Sequence, residues 1–204
     1  MAETSKATKV VTPHSMGQQA DRHMLYQQSV QDPGTEIELL TEKFVQLRAR
    51  TPLSFREDFC GTAYLAVAWC KSDPHRTAFG VDWDRETLEW GRVHNLEPAG
   101  DDVARRVTLI QGDVLDTETP PVDLVCAFNF SYNGFKRRED LLAYFRAAHR
   151  ALKSDGILAM DVYGGTEAID VLEEEREIEG SDISYVWDQA KFDPITHHTV
   201  CHIH

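Results

Sequence analysis

The chain has 204 residues, 42% hydrophobic and 27% charged, which suits one globular domain with a single sizeable core and leaves too little for two. Its 21 Lys and Arg against 34 Asp and Glu set the net charge at −13, so a nucleic-acid backbone or an anionic membrane surface is repelled on average. No run reaches the ~18 to 20 apolar residues of a membrane span, and the opening MAETSKATKVV lacks the apolar block of a secretory signal, so a cytoplasmic protein with no nucleic-acid and no membrane partner is the expectation. Cys60, Cys70, Cys126 and Cys201 stand far apart with no C-x-x-C pair, which fits reduced core thiols better than a disulfide framework or a zinc knuckle.

Residues 1–20 are polar and without period and read as a disordered tail; 21–204 read as one domain. Within it, 21–50 form a helical lid segment that carries His23 and Tyr26. Thr35 caps a helix there, with Glu38 answering as a capping box, and Ile37, Leu40, Phe44 and Leu47 recur along one face until Pro52 intervenes. Between 53 and 163 short apolar runs at 53–55, 77–81, 106–110, 122–128 and 156–162 alternate with helical stretches at 61–71, 84–95 and 138–152. Strand and helix in alternation predict an α/β fold: a doubly wound, mostly parallel sheet with helices on both faces. In 164–204, the runs 183–190 and 195–204 flank Phe192-Asp193-Pro194 and predict an antiparallel hairpin on the sheet's edge. The acidic run 173–177 reads as a solvated face.

The last strand-like run ends at His204 without a stop signal. The expectation is a truncated C-terminus whose unpaired strand aggregates or pairs, for instance in a homodimer. Strand alternation puts His198, His202 and His204 opposite Cys201, so no metal site is expected there.

Ligands of open parallel sheets bind beyond the carboxyl ends of the strands, and this chain places acids there repeatedly. The first strand closes on Glu57-Asp58-Phe59-Cys60-Gly61-Thr62-Ala63, the second on Asp82-Trp83-Asp84, the third on Gly112-Asp113-Val114. An acid after the second strand suits two ribose hydroxyls, one after the third an exocyclic amine, and together they describe a nucleoside. Asp84 reads instead as the cap of the next helix, and Cys60 as a small buried thiol with no His beside it.

With these motifs the stretch 53–162 resembles the class I S-adenosylmethionine-dependent methyltransferases, whose first motif is acid-x-Gly-x-Gly-x-Gly. Glu57 stands where that motif has its acid, Phe59 at its first glycine, Gly61 at the second and Ala63 at the third, so two of the three glycines are absent. Arg150-Ala151-Leu152-Lys153-Ser154-Asp155-Gly156 is similar to the family's lead into its fifth strand. The resemblance implies a Rossmann-like methyltransferase fold with S-adenosyl-L-methionine as cofactor and a small-molecule methyl acceptor. It further implies cofactor binding by Glu57, Phe59, Cys60 and Gly61, with Arg56 toward the cofactor's carboxylate. Asp82 would take the ribose, Trp83 would line the adenine, and Asp113 and Val114 would read its edge.

The fourth run ends on Asn129-Phe130-Ser131-Tyr132, which resembles the Asn-Pro-Pro-Tyr motif of amine methyltransferases without its prolines. That implies an amine acceptor, with Asn129, beside the cofactor, accepting its N–H and Tyr132 packing on the substrate as the catalytic pair. Tyr26, Asp161 and Tyr163 are placed by topology to face the acceptor. A basic patch at Lys136, Arg137 and Arg138 admits a small anionic one. A NAD(P)-dependent oxidoreductase is the competing enzyme class, disfavoured because no G-x-G-x-x-G cradles a pyrophosphate. A non-catalytic cofactor-binding module is the other alternative, raised by the two missing glycines.

Overall fold

A computed structural model describes residues 20–204. The tail expected over 1–20 therefore lies, but for Ala20, outside the described residues. Helix α1 (Arg22–Val30) is capped by Asp21, whose carboxylate accepts the N–H groups of His23 and Met24 at 2.9 and 3.2 Å. It buries no residue. Helix α2 (Pro33–Arg48) begins earlier than the capping-box reading placed it. Its cap is Asp32, which accepts both the N–H and the hydroxyl of Thr35, and Pro33 occupies the first turn, where a missing N–H costs nothing. Ile37, Leu40 and Phe44 are buried as the periodicity predicts, whereas Leu47 is exposed.

The main sheet has five parallel strands, β1 (Ser54–Asp58), β2 (Thr77–Asp82), β3 (Val107–Gln111), β4 (Val122–Ala127) and β5 (Leu152–Met160), in the order β3-β2-β1-β4-β5. Strand order reverses between β1 and β4, and the crevice above that reversal is where an open α/β sheet binds its ligand. The connecting helices are α3 (Tyr64–Ser72), α4 (Arg85–Gly91), which runs on as a π turn over Arg92–Leu96, α5 (Asp101–Ala104) and α6 (Arg138–Ala151). One face of the sheet packs Phe55, Leu124 and Cys126 under α2 and α3. The other packs Val81, Val125 and Ala127 under Tyr144, Ala148 and Ala151 of α6. The doubly wound arrangement is thus as expected, and the four cysteines are free thiols.

Two boundaries differ from the sequence reading. Strand β5 starts directly after α6, pairing Leu152 with Val122, and then bulges so that Ile157 pairs with Leu124. The terminal region does not extend the parallel sheet: β6 (Leu172–Glu177), β7 (Ser184–Phe192) and β8 (Thr199–Ile203) form a separate antiparallel sheet in the order β6-β7-β8. The acidic run is its exposed edge strand, solvated as expected but paired through its backbone to β7. Gln189 anchors this sheet: its amide donates to the carbonyls of Glu167 and Asp170, and its carbonyl accepts from Tyr163 Oη and Trp187 Nε1.

Asp123, at the entrance to β4, ties the bottom of the sheet together. Its fully buried carboxylate accepts the N–H groups of Leu53 and Ser54, the Ser54 hydroxyl, the Arg50 guanidinium at 2.8 Å and the Lys153 ammonium at 3.0 Å. Burial alone would raise its pKa, but the donations from Arg50, the two N–H groups and Lys153 outweigh it and hold the carboxyl well below the usual carboxylate range. The depressed pKa stabilises the fold at neutral pH, and that contribution is lost as pH falls below the unfolded carboxyl's value toward the folded one. Asp123→Asn should cost about 3 kcal/mol in urea unfolding at pH 7, because two cations lose their buried partner. The gap should narrow steadily as the measurement moves below about pH 4.

Candidate active site

The loop from β1 to α3 forms the floor of the site. Phe59, Gly61 and Ala63, the three positions aligned with the family's glycines, all have left-handed backbone, with φ of 58°, 53° and 55°. Only Gly61 adopts it without strain; a residue with a Cβ pays about 1 to 2 kcal/mol there, so the surroundings must hold Phe59 and Ala63 in place. Phe59 is held by its ring, packed on Phe135 and Tyr144, and the rest of the loop by hydrogen bonds. The Cys60 N–H donates to Val81 O at 3.0 Å, the Gly61 N–H to Asp82 Oδ2 at 2.8 Å, and the Ala63 N–H to Cys60 O at 2.8 Å. Thr62 is gripped from the side, its hydroxyl accepting from Gln27 at 2.6 Å and its carbonyl from Asn95 at 2.9 Å. Gly91 in α4 lies so close that a Cβ there would stand 2.2 Å from Thr62 O, which explains a glycine inside a helix. Sequence reasoning passed over Gly91, although that interior glycine was a legible signal.

Above this floor lies a cleft of about 520 Å³ lined by Phe59, Asp82, Trp83, Asp113, Val114 and Ser131, among others. Asp82 still has acceptor capacity after Gly61 N–H and Asp84 N–H are satisfied, and Asp113 binds the Leu115 N–H through one oxygen only. Trp83, 82% exposed, presents its indole to the cleft. Asp84 caps α4 as read, accepting from Glu86 and Thr87.

A second pocket of about 250 Å³ shares Phe59 and Ser131 with the cleft and runs under the lid past His23, Tyr26, Gln31, Glu57 and Asn129. Glu57 Oε2 accepts the Ala66 N–H at 2.9 Å, so it also caps α3 from inside. Burial, which the Ala66 bond only partly offsets, pushes its pKa up to about 8, with the charges of Glu36, Asp82 and Asp58 adding to the rise. Glu36 is pushed up to about 6 by burial and by Asp32 and Asp161, and Tyr26 up to about 12 mainly by burial. Gln31 Oε1 is buried here with no hydrogen-bond partner among the described residues. This acceptor was missed in the sequence, where nothing marks a glutamine at a helix end. Helix α1 is latched by Trp90 Nε1 donating to Asp21 at 2.7 Å, by Gln27 on Thr62 and by Arg176 on Ser29 O.

Beyond the end of β4 lies a chamber of about 890 Å³ between the loops after β4 and β5 and the antiparallel sheet. Asn129 lines both this chamber and the pocket under the lid, and its side-chain amide has no partner among the described residues. Asn129 and Phe130 are both left-handed, at φ of 55° and 57°, and their N–H groups converge on the Asp161 carboxylate at 2.6 and 2.9 Å. Tyr163 lines the chamber, its pKa raised to about 12 chiefly by burial.

Three expected site residues have other work. Arg56 does not reach the cleft: it is buried against Asp58 at 2.7 Å and donates to the carbonyls of Thr117 and Val114, pinning the loop after β3. Tyr132 lines neither the pocket nor the chamber but packs on the core beneath α6, because the turn at Ser131–Gly134 rolls it inward. Asp161 lines neither the pocket nor the chamber: it accepts the Asn129 and Phe130 N–H groups, one on each oxygen, and so shapes the site from behind. Cys60 lines the pocket as a buried thiol whose pKa burial drives well up, with the nearby carboxylates adding to it.

Two substitutions test this geometry. Gly91→Ala should lower stability by about 1 to 3 kcal/mol in urea unfolding, since helix and loop must separate. Glu57, with its folded pKa above the unfolded one, holds a proton in the native state that the unfolded chain has released, so stability should fall as pH rises from about 5 to about 8. In Glu57→Gln, which keeps an acceptor for Ala66, that slope of thermal midpoint against pH should flatten.

Several comparisons place this geometry among known proteins. Residues 58–160, more than half of the chain, match the family model described as a methyltransferase domain. No curated protein matches the chain. Among solved structures, an amino pentose methyltransferase from Micromonospora echinaspora, bound to S-adenosylmethionine, superposes with a TM-score of 0.66 at 14% identity, covering 89% of this chain and 79% of that one. An S-adenosylmethionine-dependent methyltransferase from Clostridium acetobutylicum gives 0.64 at 17% identity, over 89% and 78%. A sugar N-methyltransferase from Streptoalloteichus gives 0.60 at 16% identity, over 100% and 82%. The matched core, the strand order and the site at its reversal agree: the chain belongs to the methyltransferase-domain family and is a class I S-adenosylmethionine-dependent methyltransferase.

Proposed function

We propose that this enzyme methylates an amine nitrogen of a small molecule, with the nucleoside end of the cofactor in the cleft, its amino-acid end under the lid and the acceptor in the chamber. One observation carries the reading: Asn129, with its amide unengaged, lines both the lid pocket and the chamber, at the point where the two ligands would meet. The residues fit the cofactor's charges. The buried Gln31 acceptor and the Glu57 carboxyl suit an α-ammonium group, and among the described residues no Lys or Arg lines that pocket. Asp82 and Asp113 retain acceptor sites for ribose hydroxyls and an amine edge.

Bound there, S-adenosylmethionine supplies a methyl group on a sulfonium, which transfers by in-line displacement. What the chain contributes is position and dryness. Asn129 Oδ1 accepts an N–H of the acceptor and directs the nitrogen lone pair toward the pocket, while α1 with Tyr26 shields the meeting point from water. Asp161 keeps Asn129 in its strained conformation. Both the amino pentose methyltransferase and the sugar N-methyltransferase named above support a small, amine-bearing acceptor.

Calorimetric titration with S-adenosylhomocysteine tests the cofactor residues. Asp82→Ala should weaken binding at least about tenfold, the loss of charge-assisted hydrogen bonds. Asp113→Ala, an exposed position that leaves the fold intact, should weaken it about three- to tenfold. Transfer of isotope-labelled methyl to primary amines but not to matched alcohols, read by mass spectrometry, is the expected acceptor result. Unchanged affinity in both variants, or label on oxygen alone, would overturn the assignment.

A further inference from the structure

We propose that the acceptor carries an oxyanion, a phosphoryl or carboxylate group, held in the chamber by Lys136, His197 and His198. The inference rests on the reading of the chamber as the acceptor site. It comes from a local departure from the chain's overall charge. In a protein of net charge −13, the chamber is lined, among the described residues, by no Asp and no Glu but by one Lys and two His.

Glu167 and Asp170 flank the lining residues Ala168 and Ile169 without lining the chamber themselves, and two further acids close in sequence hold backbone amides. Asp161 is occupied by the Asn129 and Phe130 amides, and Asp193 accepts the N–H groups of Ile195 and Thr196 to make the turn before β8. Lys136 has no carboxylate partner among the described residues, which is unusual company for an ammonium in so acidic a chain. Its Nζ donates only to Asn133 O, at 3.1 Å, leaving two protons for a ligand. His197 is held by its own backbone, left-handed at φ 58° with its N–H on Asp193 O at 2.7 Å, and its ring packs at 5.9 Å from Phe192.

These groups can act on the same ligand because they line one chamber together with Asn129. Asn129 stands where it opens to the methyl donor, and an acceptor amine belongs there. The ammonium and imidazoles supply donors elsewhere on its wall, and charge-assisted bonds to phosphate or carboxylate are the strong ones available to such groups. An acceptor anchored by its acidic group is thereby oriented with its nitrogen toward Asn129, which is how binding energy remote from the reacting atom serves transfer.

The test uses three small probes that share an aminoethyl-phenyl frame: tyramine, O-phosphotyramine and 4-(2-aminoethyl)benzoate, with inorganic phosphate as a fourth. Each is titrated by calorimetry into the full chain, free and saturated with S-adenosylhomocysteine, at low and at raised salt. At least one anionic probe should bind about tenfold more tightly than tyramine at low salt, and the advantage should shrink at raised salt. The phosphate and carboxylate arms decide which oxyanion the site prefers. In Lys136→Gln and in the His197→Gln/His198→Gln double variant, all exposed positions, the advantage should drop below about threefold. Equal affinities, no detectable binding of any anionic probe, or a preference that survives both variants would overturn the proposal. Binding of S-adenosylhomocysteine without an anion preference sinks this inference alone, whereas an anion preference without cofactor-product binding sinks the functional reading and leaves the anion site standing.

Discussion

The hydrogen bond from the Gly61 N–H to Asp82 Oδ2 is the constraint on which the site depends. It joins the loop after β1 to the end of β2, at the reversal of strand order, and it fixes the middle of a segment in which every second residue is left-handed. Glycine would make that alternation free of strain; Phe59 and Ala63 hold it under strain. What offsets the cost is the packing around it: Thr62 locked by Gln27, Asn95 and Gly91, Ala66 capped by Glu57, Phe59 set against Phe135 and Tyr144. In exchange Phe59, at the family's first glycine position, carries a side chain that walls both the cleft and the lid pocket. The loop has thus changed its residues while keeping its backbone.

The charge pattern follows from the same frame. Acids at strand ends are costly to bury without a partner, and this protein sorts them into two kinds. Asp58 and Asp123 are paired with Arg56 and with Arg50 and Lys153, and Asp161, outside the cleft and the lid pocket, holds two backbone amides; these hold the architecture. Glu57, Asp82 and Asp113 are only partly satisfied, by one or two backbone N–H groups each, and these face the cleft or the lid pocket. The second kind suits a cationic cofactor, and the raised pKa of Glu57 is the mark of a carboxyl that has burial without a counter-charge. The chamber beyond Asn129 carries the opposite bias. The lid pocket and the chamber, which share Asn129, therefore differ in electrostatic character.

The strands, the crossing helices and the acids at their ends were legible in the sequence because each is a local signal: period, breaker, and a carboxylate where an apolar run stops. What escaped was decided by chain segments far apart. Arg56 was read as a ligand residue because its fate depends on the loop after β3 passing over it; the nearer clue was Asp58, two residues on and on the same strand face. Tyr132 was assigned to the substrate by its spacing from Asn129, but two successive left-handed residues at Asn129 and Phe130 turn the chain before it arrives. Gln31 carries no signal outside its three-dimensional setting. The acidic run at 173–177 shows no alternation, so its pairing with β7 was invisible, and with it the separate sheet that closes the chamber.

The claim that the loop is built in advance of the cofactor can be measured directly by amide hydrogen exchange and backbone chemical shifts in the free protein. The account expects the Gly61 amide to be strongly protected without any ligand, with left-handed shifts at Phe59 and Ala63 that change little on adding S-adenosylhomocysteine. A Gly61 amide that exchanges like an open loop, and becomes protected only when the cofactor product binds, would contradict it.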